Sequence, residues 1–98
     1  MTLPLPEFRN PAGAAEHAHD LEMILVGGVQ VRVRLEMRQE SNGTWRGRMR
    51  FAPEASLVTF ATGDIFRGAS DADLVVAGRS LREHHLRDLY RSLQETGA

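Results

Sequence analysis

From Val29 to Phe51, apolar and polar residues alternate with a period of two on either side of a turn: V-Q-V-R-V-R-L-E-M-R-Q-E, then S-N-G, then T-W-R-G-R-M-R-F. Successive side chains of a strand point to opposite faces, so each arm of this pattern is a strand with one apolar and one charged side. Ser41-Asn42-Gly43 reads as a three-residue hairpin loop, with glycine in the left-handed position and Glu40 set against Thr44. That register pairs Val33 with Phe51, Leu35 with Met49 and Met37 with Gly47 on the core side. The other side pairs Arg34 with Arg50, Glu36 with Arg48 and Arg38 with Arg46. A two-residue Asn42-Gly43 loop would set Met37 against Arg48 and carry charge into the core, which burial penalises.

The rest of the chain is arranged around this ribbon. Leu21–Val26 precedes Gly27-Gly28, a tight-hairpin signal that pairs Val26 with Val29 and Ile24 with Val31 in the core. The same register sends Leu21, Met23 and Leu25 to the arginine side, giving a face part apolar and part cationic, a composition that marks an interface. A short apolar run from Leu57, broken at Gly63-Asp64 before Ile65-Phe66-Arg67, predicts a fourth strand. Ser70 followed by Asp73 is a capping box opening a helix. Leu74, Val75, Gly78, Leu81, Leu86, Leu89 and Leu93 share one side of it, and with Tyr90 the apolar arc reaches about 180°, against roughly 100° for a helix covering one sheet face. The surplus edge of Val75, Leu86, Tyr90 and Leu93 points to a second chain.

These signals predict a two-layer α+β fold: an antiparallel meander of about four strands, 21–26, 29–39, 44–51 and 57–67, with one long C-terminal helix over 71–95 packed on one face. Residues 1–20 hold three of the four prolines and the run Ala12-Gly13-Ala14-Ala15, and read as an extended N-terminal arm that Leu3, Leu5 and Phe8 would anchor. Residues 21–98 then form a single domain, which a chain of 98 residues can fold around one core.

Composition changes the picture in two ways. The chain has no cysteine, no apolar run approaching the roughly 18 residues of a membrane span and no signal-peptide pattern at its start, so a soluble, cytoplasmic protein is expected. The net charge of −1 is unevenly spread, at −3 for residues 1–28, +4 for 29–53 and −2 for 54–98. All twelve basic residues are arginine, and six lie between Arg32 and Arg50. Same-side pairs such as Arg34/Arg50 and Arg38/Arg46 should repel by a fraction of a kcal/mol each. Tolerated repulsion implies an anionic partner for Arg34, Arg38, Arg46, Arg48 and Arg50, either an acidic protein surface or a nucleic-acid backbone. The alternative is a solvated face neutralised by Glu36 and Glu40. Trp45 and Phe51 fall on the core side, so the arginine face lacks the aromatic platforms that single strands stack upon.

Chemistry-bearing groups are few. His17 and His19 lie two apart beside Asp20, too sparse a set to predict a metal site. His84 falls on the polar side of the helix, whereas Arg82 and His85 fall towards the sheet and form the one candidate polar cluster, with Asp64 or Thr62 as partners. No nucleophile stands beside a base, and no glycine pattern cradles phosphate, so neither an enzyme nor a cofactor is expected.

A strand, an Asn42-Gly43 turn, a Trp45-led strand and Gly68-x-Ser70-x-x-Asp73-Leu74 opening a helix form a sequence of features that resembles the HicB-type antitoxin domain. In that family the last strand runs into a Gly-x-Ser/Thr-x-x-Glu-Ala helix start. The resemblance spans residues 29 to about 80. It departs in a longer strand-to-helix segment, in having no proline-glycine pair before the third strand and in having no added DNA-binding domain. A three-stranded sheet backed by one helix also resembles small domains that insert a sheet into the major groove. The resulting expectation is a small non-enzymatic interaction module, self-associating as a homodimer through Leu86, Tyr90 and Leu93 or through the mixed sheet face. The alternative is nucleic-acid (duplex backbone) binding through the arginine-rich sheet face, to which the resemblance adds the role of an antitoxin-like regulator.

Overall fold

The alternating stretch folds in the register its turn dictates. In the computed structural model, which describes residues 16–97, Val33 faces Phe51, Leu35 faces Met49 and Arg34 faces Arg50. The Glu40 N–H donates to the Thr44 carbonyl at 2.8 Å, the Gly43 N–H to the Glu40 carbonyl at 2.8 Å, and Gly43 takes φ +90°. Asn42 Oδ1 accepts the Thr44 N–H at 2.9 Å, so the short amide side chain closes the loop as well. The preceding hairpin turns on Gly27 and Gly28 at φ +57° and +82°, the pair of left-handed residues a two-residue type I′ turn requires.

Among the described residues five strands and two helices result: β1 (Glu16–Val26), β2 (Val29–Gln39), β3 (Trp45–Pro53), β4 (Phe60–Ala61), β5 (Phe66–Gly68), α1 (Asp71–Arg79) and α2 (Glu83–Gly97). The sheet is antiparallel in the order β1-β2-β3-β4, with β5 also pairing β3. Buried Leu74 of α1 and Leu86 and Tyr90 of α2 join Val31, Val33, Leu35, Met49 and Phe51 in one core. The fold is therefore α+β with the helices on one sheet face. Among the described residues no helix is long and apolar enough to cross a membrane.

Three expectations are corrected. β1 begins at Glu16, so residues 16–20, read as part of an arm, are strand, while 1–15 with Leu3, Leu5 and Phe8 lie outside the described residues. A register shift between Asp20 and Glu22 is a bulge, and it turns Leu21 from the arginine side to the core side, where it packs near Gly78 and Leu35. Second, the strand expected over 57–67 is two short pieces. Leu57 is fully exposed and Val58 largely so, and between β4 and β5 the chain is held to β3 by two backbone hydrogen bonds and one side chain. Buried Thr62 accepts the Met49 N–H on its Oγ1 at 3.0 Å and donates to the Gly63 carbonyl at 2.6 Å, satisfying a backbone group the broken ladder would orphan.

Third, the helix breaks at residues 80–82. Ser70 caps α1, accepting the Asp73 N–H at 3.2 Å. At the other end the Ser80 hydroxyl donates to the Ala77 carbonyl at 2.6 Å and the Leu81 N–H to the Gly78 carbonyl at 3.3 Å, tightening the last turn. Helix α2 then restarts at Glu83, with His85 Nδ1 accepting the Arg82 N–H at 3.4 Å, the place a glutamate takes in a capping box. Glycine sets how closely α1 seats: a Cβ at Gly47 would lie 3.1 Å from Leu74 Cδ1 and 3.2 Å from Leu35 Cδ1.

Candidate interaction surface on the helix-free sheet face

Cross-strand partners share a face, so the register collects Arg34, Glu36 and Arg38 of β2 with Arg50, Arg48 and Arg46 of β3 on the side away from the helices. Arg67 of β5 joins beside Arg46, and β1 contributes Ala18, Asp20, Met23 and Leu25. The expected arginine block is thus real, and it is threaded with carboxylates.

Asp20 Oδ1 accepts Arg34 Nε at 2.8 Å, and its other oxygen lies 3.6 Å from Arg32. Glu36 accepts Arg48 Nε on one oxygen at 2.8 Å and Arg50 Nε on the other at 2.7 Å. Arg38 grips Asp64 with both terminal nitrogens, at 3.0 and 2.7 Å. Arg46 Nε sits 2.9 Å from Glu40 Oε1, although that N–H is not aimed at an acceptor among the described residues. The repulsion argument is therefore corrected. Arg34 and Arg50 do stand opposite each other, but each is held by its own carboxylate, so local pairing offsets the like-charge cost.

Two of these carboxylates titrate below their ordinary values. For Glu36, burial alone would raise the pKa, and the hydrogen bonds and positive charge of Arg50 and Arg48 outweigh it. For Asp64 the Arg38 hydrogen bonds dominate, with burial opposing and the charges of Arg38, Arg46 and Arg48 assisting. A carboxyl whose folded pKa is depressed contributes stability that is fully present above its unfolded value and is lost as pH falls through the folded one. Thermal stability should hold from neutral pH to the top of the carboxylate range and decline in acid. Glu36→Gln should lose the part of that decline due to Glu36, roughly 1 kcal/mol or less for a pair this solvated. Melting curves stepped between neutral and acid pH read both.

The other sequence-predicted residues sit elsewhere. Arg82 and His85 are exposed at the junction of α1 and α2, and the His85 ring meets that of His84 at a centroid separation of 4.0 Å, tilted by 45°. Neither reaches the proposed partners, because Asp64 serves Arg38 and Thr62 serves β3. Leu86 and Tyr90, expected at an interface, are 1% and 4% exposed within the single chain, and Leu93 is partly buried against the same core. His17 and His19 do share a face, yet they engage opposite ends of α1: His17 Nδ1 lies 3.1 Å from Asp71 and its ring 5.2 Å from that of Trp45, while His19 Nε2 lies 3.0 Å from Arg79. Among the described residues no group of three or more His, Cys, Asp or Glu is placed to hold a metal.

Sequence reasoning missed Asp20 and Asp64 as members of the face. Asp20 falls in the arm expected over residues 1–20, and Asp64 is expected beside Arg82 and His85. The signal for Asp20 was present, since the spacing of His17, His19 and Leu21 followed by Ile24 and Val26 switches inward parity from odd to even, as a bulge does. A shallow depression of about 430 Å³ also lies on this face, where small Ala18 leaves room beside Glu36, Arg38 and Arg48. No protein family, curated protein or solved structure matches the chain, so the likeness to HicB-type antitoxins gains nothing from comparison and the functional reading rests on this surface.

Proposed function

We propose that this chain is a small non-enzymatic interaction module that self-associates through the apolar corner of its helix-free sheet face. The observation that carries it is Met23 and Leu25, which are 48% and 53% exposed on β1, opposite Arg32 and Gln30 of β2. Half-exposed apolar side chains bordered by charge on a sheet face have the composition of an interface with a polar rim. Asp20 with Arg32, which stands opposite Met23, forms that rim. In a two-fold contact each copy's carboxylate meets the other's guanidinium, so the rim is self-complementary.

Two other surfaces are less suited. The helix edge has given Leu86 and Tyr90 to the core. The outer edge of β1 carries a bulge, an inward-facing Glu22, and Arg87 donating to the Leu25 carbonyl at 3.0 Å, devices that keep edge strands from pairing. Sedimentation velocity at tens of micromolar should show a dimer. Joint replacement Met23→Glu and Leu25→Glu should return a folded monomer whose melting temperature no longer rises with protein concentration and matches that of the diluted wild type, because both positions are exposed in the single chain. A wild-type monomer at those concentrations would remove the proposal.

A further inference from the structure

Away from the Met23–Leu25 corner, the β2–β3 part of the same face presents a second surface. Across the whole face Arg32, Arg34, Arg38, Arg46, Arg48, Arg50 and Arg67 mingle with Asp20, Glu36, Glu40 and Asp64, and residues 29–53 carry +4 whereas the whole chain carries −1. The face is therefore cationic on a protein otherwise acidic. We infer that the β2–β3 part of this face docks an acidic segment of a partner protein, with Arg34 and Arg48 receiving its carboxylates.

The geometry of the ion pairs supports that assignment. Asp20 and Glu36 hold Arg34 and Arg48 through Nε, at 2.8 Å in each case. Among the described residues no acceptor meets the terminal nitrogens of either guanidinium, so the end-on fork that grips a carboxylate bidentately stays open. A guanidinium already fixed by a neighbour loses less freedom when it binds, which lowers the cost of association. The depression over Ala18 beside Arg48 and Arg38 leaves room for a side chain to enter.

Charge complementarity selects carboxylates over a phosphate backbone. Glu36 lies between Arg48 and Arg50, and Glu40 and Asp64 lie beside Arg46 and Arg38, so a continuous line of phosphates would cross fixed negative charge. Discrete acidic side chains can be spaced to miss it. Ala18, Ala52 and Ala61 on the same face offer apolar contact that a protein segment can use and a phosphodiester chain cannot.

Fluorescence anisotropy with a labelled oligoglutamate peptide, and separately with labelled duplex DNA of equal net charge, tests this on the full chain at low and at physiological salt. The peptide should bind more tightly than the duplex and weaken with salt. Arg48→Glu should weaken peptide binding about tenfold. Arg91→Glu, the same change of net charge on the exposed side of α2, should leave it unaltered. Because Arg48→Glu sets a carboxylate beside Glu36, Arg48→Gln serves as a second variant, expected to give a smaller loss in the same direction, with circular dichroism confirming that both fold. Absence of peptide binding at low salt, equal losses in the Arg48 and Arg91 variants, or tighter binding of the duplex would each overturn the assignment.

Discussion

Phe51→Ala is expected to destabilise the chain by about 3–5 kcal/mol, a large share of the roughly 5–15 kcal/mol that holds a domain of this size together. Phe51 is fully buried and faces Val33 across the β2–β3 ladder. Its ring centroid lies 5.5 Å from that of Tyr90, which in turn meets Phe60 edge-on at 5.7 Å. One side chain thus ties β3 to α2, and through Tyr90 to the short strand β4. Alanine would remove the ring from both partners and leave a void that backbone hydrogen-bonded into a sheet cannot close. Urea unfolding followed by the fluorescence of Trp45, itself 8% exposed, should show the midpoint falling with the slope unchanged. Leu57→Ala, at a position with no burial to lose, should shift the midpoint little.

How far the fold was legible follows from which interactions are local. Alternation from Val29 to Phe51 and the chemistry of Gly27-Gly28 and Ser41-Asn42-Gly43 determine the three long strands, because burying one arginine would cost more than any slip in register could return. The segment after Pro53 was not legible to that degree. Leu57 and Val58 look like strand residues, but nothing in a short apolar run states whether a neighbour will cover it, and here they stand in solvent. The candidate face was half legible. Its arginines and Glu36 could be placed by parity alone, whereas Asp20 and Asp64, which hold Arg34 and Arg38, come from a bulged strand and a connecting loop, whose positions depend on tertiary contacts. Asp64 illustrates the difference: it lies twenty-six residues from Arg38 and meets it because the chain between β4 and β5 is pinned to β3 by Thr62 on one side and by the Ile65 N–H on the other.

Leu86→Ala is expected to cost about 2–5 kcal/mol, and that cost should not vary with protein concentration. The expectation opposes the periodic reading, which sent Leu86 to a second chain. An unbroken helix turns about 100° per residue, so the twelve residues from Leu74 to Leu86 leave the two side chains roughly 120° apart. A straight helix therefore could not bury both against one sheet face, and surplus apolar surface was the natural deduction. The break after Arg79 removes that constraint, letting α2 take its own orientation so that Leu74 and Leu86 are each 1% exposed. Ser80 three residues before Glu83, closely following Gly78, was the sequence signal for such a break. Were Leu86 an interface residue, wild-type stability would rise with protein concentration by mass action and the alanine variant would lose that dependence. A core residue produces the opposite pattern, with the same loss at every concentration, and urea midpoints of both proteins measured over a hundredfold range of dilution distinguish the two.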